Sequence, residues 1–131
     1  MKQATVLYVE DNEYNRKIVR HLLSRTSYRL QEAADGETAL GMARAERPDL
    51  ILMDVQLPKM SGLDVTRALR GDPTTADVPI IVVTSFALSG DDQRAMAAGA
   101  SAYIAKPYSP RELLALIHTF LPVKTSEENP A

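Results

Sequence analysis

Polar side chains able to take part in chemistry follow four of the apolar runs in this sequence. They are Glu10 and Asp11 after the first run, Asp54 after the third, Thr84 and Ser85 after the fourth, and Lys106 after the fifth. Ligands of an open parallel sheet bind beyond the carboxyl ends of its strands, so these side chains are expected to meet at one edge. The sequence therefore predicts a site that combines three carboxylates, a hydroxyl group and an ammonium group.

Three carboxylates that share a small space repel one another. Two unit charges 4 Å apart cost about 4 kcal/mol at an effective dielectric of 20, so such a cluster should hold a proton or bind a cation. The site is rich in oxygen and lacks Cys and His, which favours Mg²⁺, with Mn²⁺ as a second choice, over zinc. A carboxylate that faces both a metal ion and Lys106 can attack phosphorus. These residues indicate metal-assisted phosphorylation of Asp54.

Four short runs rich in β-branched and aliphatic residues, together with a weaker segment at residues 28–33, predict the strands that position these side chains. They are Thr5–Val9, Tyr28–Ala33, Leu50–Met53, Ile80–Val83 and Ser101–Ala105. Helical patterns alternate with these runs, and such alternation predicts an α/β fold with a parallel sheet and helices on both faces.

The helices carry recognisable start signals and apolar spacing. Asp35 is the expected N-cap of the second helix, and Ser109 with Glu112 forms a capping box before the last one. The first helix is expected over Tyr14–Leu23, with an apolar face on which residues recur at helical spacing. The residues of that face are Ile18, Val19, Leu22 and Leu23.

Composition limits the class of protein. A chain of 131 residues, 45% hydrophobic and 24% charged, fits one globular domain, expected over residues 1–121 with a flexible tail at 122–131. A net charge of −2 argues against nucleic acid as the main partner. No apolar run reaches the roughly 20 residues of a membrane span, and no signal peptide opens the chain. A cytoplasmic location is expected.

Five short motifs, each at a strand end, resemble those of the receiver domain of bacterial response regulators. They are Val9–Asn12, Leu52–Asp54, Pro58–Gly62, Val83–Ser85 and Lys106–Pro107. The resemblance covers residues 4–121 and is closest to DivK-type single-domain regulators and to the receivers of hybrid kinases. It implies a five-stranded CheY-like, or flavodoxin-like, sheet with strand order 2-1-3-4-5.

The resemblance implies a role for each acidic residue. Asp54 matches the phosphoryl acceptor of the family. Asp11 matches a direct ligand of Mg²⁺ and Glu10 one that acts through water, and the backbone carbonyl of Gln56 matches a further ligand. The acidic pair is Glu-Asp in this chain, whereas many receivers have Asp-Asp.

The resemblance also implies a switch. Thr84 and Lys106 match the residues that bind the phosphoryl group, and Tyr103 matches the aromatic residue that rotates on activation. The bond between Lys106 and Pro107 matches a peptide bond that is usually cis in the family.

By this resemblance the chain is a signalling protein rather than an enzyme, although it assists its own phosphorylation and dephosphorylation. The phosphoryl group is expected to come from a histidine kinase or a histidine phosphotransfer protein. A downstream protein is expected to bind the surface formed by the last two helices and the fifth strand, where Phe86, Leu88 and Tyr108 lie. The protein is expected to be a monomer or a weak dimer.

Three alternatives stay open at this point. A receiver domain cut from a hybrid histidine kinase would carry the same motifs. A phosphorylation-independent binding module is disfavoured by the complete set of acids, Thr84 and Lys106. A small phosphatase resembling haloacid dehalogenases needs a second acid two residues after its nucleophile, where this chain has Gln56.

Overall fold

The computed structural model describes residues 3–85 and 91–122. Within these ranges five strands alternate with five helices. The strands are β1 (Thr5–Val9), β2 (Arg29–Ala33), β3 (Leu50–Asp54), β4 (Ile80–Thr84) and β5 (Ala102–Ala105). The helices are α1 (Glu13–Leu23), α2 (Gly36–Ala45), α3 (Gly62–Arg70), α4 (Asp91–Ala98) and α5 (Pro110–Phe120). The predicted strands are all present, and their bounds differ from the prediction by at most one residue.

The sheet is parallel throughout and has the strand order β2-β1-β3-β4-β5, which confirms the predicted fold. Val9 at the end of β1 pairs with Met53 on β3, and Asp54 at the end of β3 pairs with Val83 on β4. The central strands therefore end at one edge of the sheet, and the residues that follow them are brought together there.

Apolar side chains cover both faces of the three central strands, which explains why β1, β3 and β4 are almost continuous apolar runs, whereas the edge strand β2 carries polar residues. Because neighbouring side chains of a strand point to opposite faces, the central strands β1, β3 and β4 each contribute to two buried clusters. On one face the strands pack against α2, α3 and α4. On the other they pack against α1 and α5. The strand residues of this second cluster are Val6, Tyr8, Leu50, Leu52, Ile81, Val83 and Ile104.

The predicted helix caps form. The Asp35 side chain accepts a hydrogen bond of 2.7 Å from the backbone N–H of the third residue of α2. Ser109 and Glu112 form the reciprocal capping box of α5, with Pro110 as the first helical residue. Asn12 caps α1 in the same way as Asp35 caps α2, so it ends the acidic turn and starts the first helix.

One prediction about α1 is wrong in part. Val19 and Leu23 are buried as expected, but Ile18 is 46% exposed. Successive helical residues are rotated by about 100°, and the helix meets the sheet along the line through Val19 and Leu23. Ile18 lies at the side of that line and faces outward.

No helix in the described ranges is both long enough and apolar enough to cross a bilayer. Phe86 and Leu88, which we expected on the output surface, lie outside the described residues, as does the tail from residue 123 onward.

Candidate functional site

The backbone positions the site by extending strand pairing beyond the strand ends. The Glu10 N–H donates to the Ala33 carbonyl at 2.9 Å, and the Lys106 N–H donates to the Thr84 carbonyl at 2.7 Å. Both residues are therefore held in line with β1 and β5, while Asp54 is itself the last residue of β3. The carboxyl edge of the sheet becomes a fixed frame for their side chains.

Three carboxylates converge at this edge, as the sequence predicts. Glu10, Asp11 and Asp54 each offer an oxygen atom that lies within 4.8 Å of the other two. Glu10 and Asp54 are buried, whereas Asp11 is exposed. The cluster therefore has a buried floor and one acid that faces solvent.

A single ammonium group lies between the two buried carboxylates. Lys106 Nζ is 3.1 Å from Glu10 Oε1 and 3.6 Å from Asp54 Oδ2. The Lys106 side chain is 24% exposed, against 2% for Glu10 and 5% for Asp54. The sequence suggested Asp54 or a phosphate as the partner of this lysine, but in the structure its shorter contact is with Glu10.

The acid–base properties of the two buried acids differ. Burial, together with the charge of Glu10, raises the pKa of Asp54 from 3.8 to about 7, although Lys106 opposes the rise. Burial also acts to raise the pKa of Glu10, but the Lys106 ammonium and the Asn12 N–H outweigh it and leave that pKa below its usual value. Near neutral pH the pocket thus favours the ionised form of Glu10 and leaves Asp54 close to the midpoint of its titration.

Glu10 is held by hydrogen bonds from several directions. Its Oε1 accepts from the Tyr8 hydroxyl at 3.2 Å as well as from Lys106, and its Oε2 accepts from the Asn12 N–H at 3.2 Å. Arg16 donates to the Glu10 carbonyl at 2.7 Å. Sequence reasoning missed Tyr8 because it read the residue as part of an apolar strand. The available signal was a hydroxyl group two residues before Glu10, on the same face of β1.

The loop after β3 brings a glycine against the backbone of Asp54. The Gln56 N–H donates to Asp54 Oδ1 at 3.4 Å, and the Gly62 N–H donates to the Val55 carbonyl at 2.9 Å. A Cβ atom at Gly62 would lie only 2.0 Å from the Asp54 carbonyl oxygen. Helix α3 can begin this close to the acid because residue 62 has no side chain.

The residues expected to form the switch lie at different depths. Thr84 is completely buried at the end of β4, and Tyr103 on β5 is 41% exposed. The peptide bond between Lys106 and Pro107 is cis. Tyr108, which follows them, is half-buried against the same cluster as Tyr8.

Comparison with known proteins shows the family. Residues 6–118 match the model of the response regulator receiver domain, so the chain belongs to the response regulator receiver domain family. A phosphoacceptor role and contacts with histidine kinases and downstream targets are typical of that family.

Named relatives support the assignment. The polar-differentiation response regulator DivK of Brucella anthropi is 44% identical over 117 residues, which cover 89% of this chain and 95% of the relative. DivK of Brucella ovis has the same identity and coverage.

Solved structures agree with this assignment. The chain is similar to the receiver domain of the sensor histidine kinase PA1611 from Pseudomonas aeruginosa (TM-score 0.86, 35% identity, 93% of this chain and 100% of that one). That structure has a magnesium ion coordinated in its active-site cleft. The chemotaxis response regulator CheY4 of Vibrio cholerae is also similar (TM-score 0.85, 33% identity, 91% and 99% coverage).

Proposed function

We propose that Asp54 is the residue that accepts the phosphoryl group in this receiver domain. The observation that carries the proposal is the meeting of Asp54 with two further carboxylates, of Glu10 and Asp11, within 4.8 Å and with an ammonium group at 3.6 Å. Asp54 is buried at the base of this group, and Asp11 leaves one side open to solvent. A phosphodonor can therefore approach from one side while the pocket excludes water from the others.

The donor set fits Mg²⁺. The pocket offers hard carboxylate oxygens, and burial together with the charge of Glu10 raises the pKa of Asp54. Asp11 and Asp54 are the proposed direct ligands, with Glu10 acting through water and the Gln56 backbone carbonyl completing the set. Mn²⁺ would be accepted by the same oxygens. A bound divalent ion would neutralise negative charge on the transferring phosphoryl group.

The proposed reaction is a phosphoryl transfer from a phosphohistidine. An ionised carboxylate oxygen of Asp54 attacks phosphorus, the bond from phosphorus to the donor's imidazole nitrogen breaks, and an acyl phosphate forms. Lys106 and the Thr84 hydroxyl then donate hydrogen bonds to the phosphoryl oxygens. The donor is a histidine kinase or a histidine phosphotransfer protein. By this proposal the chain assists its own phosphorylation and the later hydrolysis of the acyl phosphate on Asp54, and it turns over no external substrate.

Phosphorylation is proposed to act on the surface formed by α4, β5 and α5. The new phosphoryl oxygens compete for Lys106 and Thr84, and Tyr103 is exposed on the neighbouring strand, where a change of rotamer alters the surface. The result is a shift between two populations and not a new fold. A target protein that binds one of the two conformations more tightly would therefore bind with an affinity that depends on phosphorylation.

We further propose that the chain acts as a cytoplasmic single-domain regulator, a monomer or weak dimer whose receiver domain spans residues 1–121. Its match over 95% of the DivK relative supports this view. The similarity to the receiver of a sensor kinase supports the alternative that it works as one domain of a hybrid kinase.

The test is intact-mass spectrometry after incubation with acetyl phosphate. We expect one added phosphoryl group in the presence of Mg²⁺, and none with a chelator or in Asp54→Ala. Asp35→Ala is the matched control, because Asp35 is a partly exposed helix cap outside the carboxylate cluster. An adduct that persists in Asp54→Ala would place the acceptor elsewhere. If no adduct forms and beryllofluoride does not bind either, the pocket does not accept a phosphoryl group and the proposal is wrong.

A further inference from the structure

The hydrogen bond from Tyr8 to Glu10 links the apolar core to the acidic pocket. We propose that Tyr8 is a positioning residue, which holds Glu10 in the orientation that binds Mg²⁺. The inference deepens the proposed function and rests on it. Tyr8 itself touches neither the proposed acceptor oxygen nor the phosphodonor.

The geometry places Tyr8 directly behind Glu10. The two residues are separated by one position on β1 and its extension, so their side chains point to the same face of the sheet. The Tyr8 ring is buried among the aliphatic residues between the sheet and helices α1 and α5. Its hydroxyl reaches Glu10 Oε1 at 3.2 Å. A phenylalanine at this position would fill the core equally well and would make no such bond.

The hydrogen bond from Tyr8 matters because another donor to Glu10, the Lys106 ammonium group, also contacts Asp54. Glu10 Oε1 also accepts from Lys106 at 3.1 Å, and the proposed reaction draws Lys106 toward the phosphoryl group. A buried carboxylate that loses a donor without replacement is strongly disfavoured. Tyr8 belongs to the core and cannot follow Lys106, so it keeps Glu10 satisfied and oriented while the lysine moves.

Removal of such a supporting hydrogen bond typically weakens metal binding by 10 to 100 times. The bond here is long for a phenol donating to a carboxylate, so we expect the lower end of that range. In Tyr8→Phe the Mg²⁺ concentration that gives half the maximal rate of phosphorylation by acetyl phosphate should rise about tenfold. The rate at saturating Mg²⁺ should stay within about twofold of the wild-type rate, because Asp54, Lys106 and Thr84 are unchanged.

Two companion variants separate positioning from packing. Tyr28→Phe is the matched control, because the Tyr28 ring belongs to the same buried cluster and its hydroxyl donates to the Leu121 carbonyl at 2.7 Å, away from the pocket. Glu10→Asp shortens the acid by one methylene group and withdraws it from the Tyr8 hydroxyl. The effect of Tyr8→Phe in this background is measured relative to Glu10→Asp itself, whatever the half-saturating Mg²⁺ concentration of that single variant. In the Glu10→Asp background, Tyr8→Phe should change the half-saturating Mg²⁺ concentration less than twofold.

The measurement is the phosphorylation rate as a function of Mg²⁺ concentration for these variants, together with Mg²⁺ binding by calorimetry. A rise of about tenfold in Tyr8→Phe alone, lost in the Glu10→Asp background, supports the proposal. A value within twofold of wild type, an equal rise in the Glu10→Asp background or an equal rise in Tyr28→Phe overturns it. If the wild-type protein is not phosphorylated at all, the proposed function fails, and the calorimetric comparison still decides the role of Tyr8.

Discussion

Replacement of Asp54 by asparagine should stabilise the metal-free protein, and by more at pH 8 than at pH 5. The physical reason is that the folded pocket prefers a neutral group at this position. Burial and the charge of Glu10 raise the pKa of Asp54 from 3.8 to about 7, so the folded state binds a proton more tightly than the unfolded state does. The stabilisation from that proton is fully present below pH 3.8 and is lost as the pH rises through 7.

The size of the effect follows from the same shift. One pKa unit corresponds to 1.36 kcal/mol. Between pH 5 and pH 8 the wild-type protein should therefore lose about 2 to 3 kcal/mol of unfolding free energy through this group. Asparagine has the shape of the protonated acid and does not titrate, so Asp54→Asn avoids this loss. Glu10, whose pKa is lowered, titrates below the window and does not contribute to the comparison.

Urea unfolding followed by circular dichroism, in the presence of a chelator at pH 5 and pH 8, measures the difference. Asp72→Asn is the control, because hydrogen bonds from Thr74 and Arg44 lower the pKa of Asp72. Its effect on stability should be the same at both pH values. If the gap between wild type and Asp54→Asn stays constant within about 0.5 kcal/mol, or if Asp54→Asn is the less stable protein at pH 8, the argument from burial is wrong.

Four further predictions concern metal binding in the pocket, two glycines and one helix cap. The affinity for Mg²⁺ should fall about tenfold for each pH unit below 7, because the ion must displace the proton of Asp54, whose pKa is about 7. Calorimetry in buffers of different ionisation enthalpy should detect about one proton released at pH 6 and almost none at pH 8.5. Gly62→Ala should destabilise the fold by about 2 kcal/mol or more and impair phosphorylation, since its Cβ would meet the Asp54 carbonyl at 2.0 Å. Gly41→Ala, in a helix and with open space around it, should instead gain about 0.5 to 1 kcal/mol in urea unfolding, and the opposite sign would contradict the packing analysis. Ser109→Ala should cost about 1 kcal/mol through loss of the cap of α5, and unchanged thermal stability would argue against that cap.

The fold could be predicted because its signals are local and repeated. The central strands are almost continuous apolar runs between polar turns, and the caps at Asp35 and Ser109 mark where two helices begin. Ile18 shows the limit of this reasoning. The first helix carries two neighbouring apolar rows, and only the packing of α1 on the sheet decides which of them is buried.

The meeting of three carboxylates with Lys106 could be predicted from the sequence, but the contacts among them could not. The ends of β1, β3 and β5 bring Glu10, Asp54 and Lys106 together whichever rotamers their side chains adopt. The pairing of Lys106 with Glu10 in preference to Asp54 depends on side-chain rotamers and on differences of half an ångström, which no sequence pattern encodes. The sequence predicts that Gly62 lies in the loop after β3. Its contact with the Asp54 backbone depends on the path of that loop into α3, which the sequence does not predict.

The arrangement of charges supports the proposed role of this pocket as a switch. Glu10 and Asp54 compete for one ammonium group, at 3.1 and 3.6 Å, and burial together with the charge of Glu10 raises the pKa of Asp54 to about 7. A phosphoryl group on Asp54 adds acceptor oxygens and changes the balance of that competition. Lys106 can then leave Glu10, provided that Glu10 keeps other donors, and the Tyr8 hydroxyl is one that stays in place. The resting pocket is thus held by interactions that phosphorylation can exchange, which is the property that a two-state signal requires.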